Sequence, residues 1–226
     1  MPFGRDRPMP VPAFTKTIDA LLKKPAVMVF CKAVMFLACT VPLVEPPLYL
    51  LFDPLALGAN PAEHMIRDWG DWSLQLLLAT LLITPLRLLS GIGPLLQFRR
   101  MLGLFAFFYG TLHLTTYLWL DQFFDVEAIL HDVAKRPFIT AGVSAFRLMV
   151  PLALTSTTGM IRRLGGRRWK ALHRLVYVTA IGGVIHYLWL VKADRQRPLI
   201  YGAIVALLLG YRAWEAWRSR RTVSTS

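Results

Sequence analysis

RRMLGLFAFFYGTLHLTTYLWLD, residues 99–121, decides the fold. Two arginines open the stretch and an aspartate closes it, and the twenty residues between them contain no Asp, Glu, Lys or Arg. At about 1.5 Å of rise per residue, such a run crosses a hydrocarbon core of about 30 Å as a helix. A strand would show alternation of apolar and polar residues, which is absent, and only a helix satisfies its own backbone in lipid. One imidazole, His113, interrupts the apolar series.

Outward from this stretch, five more runs have the same character: Val27–Leu50, Trp72–Leu89, Phe138–Thr157, Leu175–Val191 and Leu199–Tyr211. With Met101–Leu120 they predict an all-α bundle of six transmembrane helices, the last two short and helped by snorkelling flanks. Pro42, Pro85 and Pro151 fall inside the runs as kinks that a membrane helix tolerates. Over all 226 residues, 55% are hydrophobic and 17% charged, and the mean hydropathy is +0.48. That is more apolar surface than a soluble core of this size buries.

The net charge of +13 would suit nucleic acid, but the basic residues lie between spans and no nucleic-acid-binding motif accompanies them, which excludes that class. Cys31 and Cys39 share one run. They offer neither a disulfide framework nor a CxxCH haem attachment and read as packing residues. The division is a basic N-terminal arm over 1–26, a membrane domain over 27–211 and a basic tail over 212–226. The first span reads as an uncleaved signal anchor, since Lys32 lies near its start and no small-residue cleavage site follows.

Loop charges predict the orientation. Arg87, Arg99 and Arg100 follow span two, and Arg162, Arg163, Arg167, Arg168, Lys170 and Arg174 follow span four, with no acid in either stretch. Asp53, Glu63, Asp68 and Asp71 precede span two, and Asp121, Asp125, Glu127 and Asp132 precede span four. Both termini are therefore expected in the cytoplasm. The basic Lys192–Arg197 loop runs against the pattern.

Histidine inside lipid is costly without a partner, so His113, His186 and His173 are the candidate functional residues, with interhelical hydrogen bonding as the alternative. His113 lies 13 residues beyond Arg100, and His186 lies 12 beyond Arg174. On two helices entering from the same face, they reach one level, where a pair of imidazoles clamps a haem iron and favours electron transfer. His173, 13 residues before His186, is about 20 Å lower on an unbroken helix. It is a candidate for a second metal site, a quinone or flavin contact, or a cap on the basic loop. Arg147, in mid-span, is a candidate partner for a haem propionate, with snorkelling as the alternative.

The runs ANPAEHMIRDWGDW at 59–72, LLLATLLITPLR at 76–87, RRMLGLFAFFYGTLHLTTYLWLD at 99–121, KRPFITAG at 135–142, LALTSTTGMIRRLGGRRWKALHRLVY at 152–177 and IHYLWLVKAD at 185–194 together resemble the MsrQ (YedZ) family. Its members are haem-binding membrane subunits of the bacterial periplasmic protein-methionine-sulfoxide reductase system, within the ferric-reductase-like superfamily. The resemblance implies a bacterial inner-membrane subunit holding haem b. It implies that electrons come from quinone, or from a cytosolic flavin reductase, and go to MsrP. MsrP is the periplasmic molybdenum-cofactor enzyme that reduces methionine sulfoxide and repairs oxidised proteins. The family's haem-associated histidines fall on His113, His173 and His186. The resemblance also implies FMN, for which Gly165–Gly166 beside Arg167 and Arg168 is the one weak anion-binding candidate. Two further readings stand beside it: a stand-alone cytochrome b-type ferric or quinone reductase, and a cofactor-free transporter or scaffold.

Overall fold

The computed structural model describes residues 13–224, so the first twelve residues of the predicted arm lie outside it. Among the described residues nine α-helices follow one another: α1 Ala13–Leu22, α2 Pro25–Phe52, α3 Pro61–Ser90, α4 Leu96–Thr116, α5 Val126–Lys135, α6 Pro137–Leu154, α7 Thr158–Leu172, α8 Leu175–Leu190 and α9 Gln196–Ser224. Local chemistry sets the boundaries. Proline opens α2, α3 and α6, where its missing N–H costs nothing. Asn60, Asp125 and Thr157 accept backbone N–H groups at the starts of α3, α5 and α7. Gly91, left-handed at φ 74°, stops α3.

Five helices are long and apolar enough to cross a membrane alone, and α7 with α8, bent by 44°, forms a sixth candidate. This is the expected all-α, multi-pass membrane bundle. Two details differ from the sequence reading. The second span begins at Pro61 rather than Trp72, so Glu63, His64, Asp68 and Asp71 ride on α3 instead of a loop. Hydropathy locates the lipid-facing turns, whereas the Asn60 cap and Pro61 locate the helix start. The tail is not separate either, because α9 runs without a break past Arg212 to Ser224.

Arg87, Arg99 and Arg100 flank the α3–α4 turn, and Arg162, Arg163, Arg167 and Arg168 lie on α7 after α6, while the loops after α2, α4 and α8 lie at the opposite end; these are the basic and acidic ends below. The exceptional basic loop at the acidic end is tied down, because Arg197 pairs with Asp71 at 3.4 Å.

Two antiparallel pairs, α3 with α4 and α6 with α8, form the centre. Small residues bring their backbones close. A Cβ at Gly110 would lie 3.1 Å from Ser73 Oγ, whose hydroxyl donates to Ala106 O at 2.8 Å, and one at Gly182 would lie 3.2 Å from the Ala145 Cβ. Tyr109, Leu81, Ala106 and Ala180 are sealed in this core. α2 lies outside it, with Phe30, Leu37 and Leu51 facing outward, as lipid contact demands.

Prolines within spans serve the packing. A proline cannot donate to the carbonyl four residues earlier, so Pro46 frees that of Pro42 and Pro85 frees that of Leu81. Both are taken by side chains of other helices: Trp69 Nε1–H donates to Pro42 O at 3.2 Å, and Arg212 donates to Leu81 O at 2.7 Å. The kinks become interhelical bonds.

Candidate functional site

His113 on α4 and His186 on α8 come face to edge, with ring centroids 5.9 Å apart and planes at 81°. Each ring is held in the same way by the partner helix of its own pair. His113 Nδ1–H donates to Ile66 O on α3 at 2.7 Å, and His186 Nδ1–H donates to Phe138 O on α6 at 2.6 Å. A carbonyl only accepts, so the proton sits on Nδ1 in both neutral rings and both Nε2 lone pairs remain for a metal.

Glycine permits this arrangement. Within a helix, the carbonyl of residue i is flanked by residue i+4, and here that residue is Gly70 for Ile66 and Gly142 for Phe138. A Cβ at Gly70 would lie 2.9 Å from His113 Nδ1, and one at Gly142 would lie 2.6 Å from His186 Nδ1. The two pairs thus repeat one device: a histidine, a glycine that admits its ring, and a carbonyl that orients it. Sequence reading singled out neither glycine nor either carbonyl. The available signal was one glycine in WGDW and one in KRPFITAG, each on the helix paired with a half-buried histidine's helix.

The arrangement fits haem iron. Metal–imidazole bonds of about 2 Å on each side, added to the ring radii, give about the separation seen. Outer-sphere hydrogen bonds from the second ring nitrogen are what fix ligand histidines. Among the described residues no group of three or more His, Cys, Asp or Glu could hold a bare metal ion, so a two-histidine site suits a metal whose other ligands come with it. A crevice of about 370 Å³ between the start of α6 and the end of α8 is lined by Ala134, Pro137, Thr140, Ala141, Ser144 and Trp189, and by neither histidine.

The other two candidates stand apart from the pair. His173 is not on α8 at all. It caps α7 at the basic end, stacks on Trp169 with centroids 4.0 Å apart, and has Nε2 3.1 Å from Thr155 Oγ1. Trp169 Nε1–H closes the knot on Thr155 O at 2.9 Å. The helical extrapolation from His186 does not apply, because α8 begins only at Leu175. Arg147 is exposed on α6, five residues beyond Gly142 and so about 7.5 Å nearer the basic end and turned by about 140° from it. Gly165 breaks α7 at φ 74°, and it and Gly166 are exposed.

Residues 69–184 match the family described as "Ferric reductase like transmembrane component". Those residues include Gly70, His113, Phe138 and Gly142 and end two short of His186. The chain is also similar to proteins named protein-methionine-sulfoxide reductase heme-binding subunit MsrQ. The one from Herminiimonas arsenicoxydans is 54% identical over 198 residues, 87% of this chain and 90% of that protein. Those from Azospira oryzae and Rhodospirillum rubrum are 55% and 54% identical over 188 residues each, 83% of this chain and 80% and 89% of theirs.

Proposed function

The chain belongs to the MsrQ family of membrane haem-binding subunits, and on that premise we propose that His113 and His186 are the two axial ligands of a haem b through which electrons leave the membrane for a periplasmic acceptor. The observation that carries this reading is the matched pair of rings, each held by an Nδ1–H bond with Nε2 left open. A haem held by these two residues would supply a one-electron Fe(III)/Fe(II) couple.

The chain's own residues do the rest. Gly70 and Gly142 let the rings reach the carbonyls, and those carbonyls hold both imidazoles in the ligating tautomer. Arg147, exposed on α6 and turned by about 140° from Gly142, takes the snorkelling role rather than that of a propionate partner. By the excess of Lys and Arg the basic end faces the cytoplasm, which puts the histidine pair, nearer the acidic end, on the periplasmic side of an inner membrane. The donor is a quinol or a cytosolic flavin reductase, FMN is an accessory carrier, and the acceptor is the molybdenum-cofactor enzyme MsrP. The likeness to ferric reductases favours a second reading, direct reduction of ferric chelates without a dedicated partner.

A reduced-minus-oxidised visible spectrum of the purified protein tests the first step. Sharp b-type bands are expected, and their absence at full polypeptide recovery overturns the haem reading. Adding quinol and then the oxidised molybdoprotein should reduce and re-oxidise those bands. Re-oxidation by ferric chelate alone, with none by the molybdoprotein, selects the second reading.

His173 belongs to the entry side in this scheme. His173→Ala is expected to leave the haem bands intact and to slow quinol-driven reduction in stopped flow severalfold, because it loosens the Thr155–Trp169 knot at the basic end. Loss of the bands would make His173 a ligand instead.

A further inference from the structure

The two histidines belong to different helix pairs, His113 to α3–α4 and His186 to α6–α8, so the gap between their rings depends on what holds the pairs together. On the basic side of the histidines the pairs meet directly. Phe107 of α4 and Phe146 of α6 stack with centroids 5.5 Å apart and planes at 12°, and a Cβ at Gly110 would lie 3.5 Å from the Phe146 ring. On the acidic side they are joined through a carboxylate. Asp132 of α5, only 6% exposed, accepts from the Tyr117 hydroxyl at 3.1 Å and pairs through its other oxygen with Arg136 Nε at 3.2 Å. Tyr117, the C-cap of α4, stands one turn beyond His113, and Arg136 stands two residues before Phe138, whose carbonyl orients His186. α5 is fastened to α6 as well, because the Thr140 hydroxyl donates to Val133 O at 2.5 Å.

The chain reaches this contact through an unfavourable backbone. Between Tyr117 and α5 it reverses at Phe123 and Phe124, with φ of 49° and 58°. Bulky side chains adopt this left-handed conformation only where the surroundings impose it. The Phe124 N–H bond to Leu118 O at 2.8 Å and the Tyr117–Asp132 bond close the reversal from its two sides. Two imidazoles share one iron only at a fixed separation, and a wider gap releases one of them. A buried carboxylate with two donors resists that widening, because breaking its bonds leaves a charge without partners away from water. A second tie on the acidic side is weaker. Arg197, on the α9 helix that packs against α8, meets Asp71 of α3 at 3.4 Å with its own side chain 71% exposed, where water competes.

We propose that Asp132 is a positioning residue that, through Tyr117 and Arg136, fixes the gap between His113 and His186 at the width that keeps both rings on one iron. The inference rests on the haem reading of the pair.

The test is carbon monoxide access to the ferrous haem of the full chain in nanodiscs, followed by stopped-flow absorbance. Carbon monoxide binds only after one imidazole leaves, so the rate of carbonyl formation per haem reports how often the gap opens. A purely structural role at a distance would not move this rate. Asp132→Ala is expected to raise it about tenfold, the low end of what a lost outer-sphere partner costs. Tyr117→Phe, which keeps the ring and removes one hydrogen bond, should raise it severalfold and decides alone if Asp132→Ala does not fold. Asp132→Asn should return close to the wild-type rate, because its amide can accept from Arg136 and donate to Tyr117 Oη. Arg197→Gln should stay within about twofold of wild type. A wild type without haem overturns the haem reading and this inference with it. With haem bound in the wild type, unchanged rates in Asp132→Ala and Tyr117→Phe, or an Arg197→Gln rate equal to that of Asp132→Ala, overturn the positioning role alone.

Discussion

His186→Ala is expected to lower haem per polypeptide at least about tenfold, in line with the loss of an axial ligand, and to abolish the low-spin b-type spectrum of any haem that remains. The substitution removes the imidazole facing His113 across 5.9 Å and the side-chain donor to the Phe138 carbonyl. The helix itself should persist, because alanine is a better helix former than histidine and α8 also meets α6 away from position 186, where Gly182 lies against Ala145. Circular dichroism should therefore change little while the Soret band collapses. His113→Ala should behave alike, since its ring is anchored by the same device on α3. Added imidazole should restore part of the low-spin signal in either variant, a rescue that a general packing defect would not show. Stoichiometric low-spin haem in His186→Ala would sink the pairing.

How far the sequence reaches can be judged from these same residues. Apolar runs flanked by charge placed the five spanning helices and the α8 part of the bent sixth candidate, because lipid leaves a helix no other way to satisfy its backbone. The pairing of His113 with His186 was legible as well, since equal distances from the arginines at two parallel helix starts become equal heights. The same arithmetic failed for His173, where a turn separates α7 from α8 and breaks the assumed rise and rotation. The start of α3 was misjudged because acidic turns of a helix that projects from the lipid look like a loop to a hydropathy reading. Gly70, Gly142 and the carbonyls of Ile66 and Phe138 were invisible for another reason. A glycine in a span carries no sign of what leans against it, and a backbone carbonyl belongs to every residue alike. The release of the Leu81 carbonyl by Pro85 is the intermediate case. The proline announces a free acceptor four residues earlier, but only the fold says that Arg212 takes it.

Gly142→Ala separates the two roles that a helical glycine can play. In an exposed helix this change stabilises by up to about 1 kcal/mol, through lower backbone entropy in the unfolded chain and better helix propensity. At Gly142 the new Cβ would stand 2.6 Å from His186 Nδ1 and 2.9 Å from its Cε1, distances that real Cβ atoms do not adopt. The ring must tilt or α6 must move away from α8, and in either case the bond to Phe138 O is weakened. Loss of an outer-sphere bond of this kind costs about 10–100-fold in metal-site affinity, so haem retention should fall by that order while helical content holds or rises. The midpoint potential should move up, because an imidazole that no longer gives its Nδ1–H to a carbonyl is a poorer donor to Fe(III). Gly70→Ala should follow in the same direction with a smaller shift, since its contact with His113 is 2.9 Å. Gly183→Ala supplies the contrast. Its Cβ would meet only the Leu74 Cδ1 at 3.3 Å, a flexible side-chain end that can yield, so haem retention and potential should stay near the wild type. A redox titration and a haem assay on the three variants thus give an order, Gly142 over Gly70 over Gly183, that helix propensity alone would not produce. Equal behaviour of all three would mean that the carbonyls and glycines are packing and nothing more.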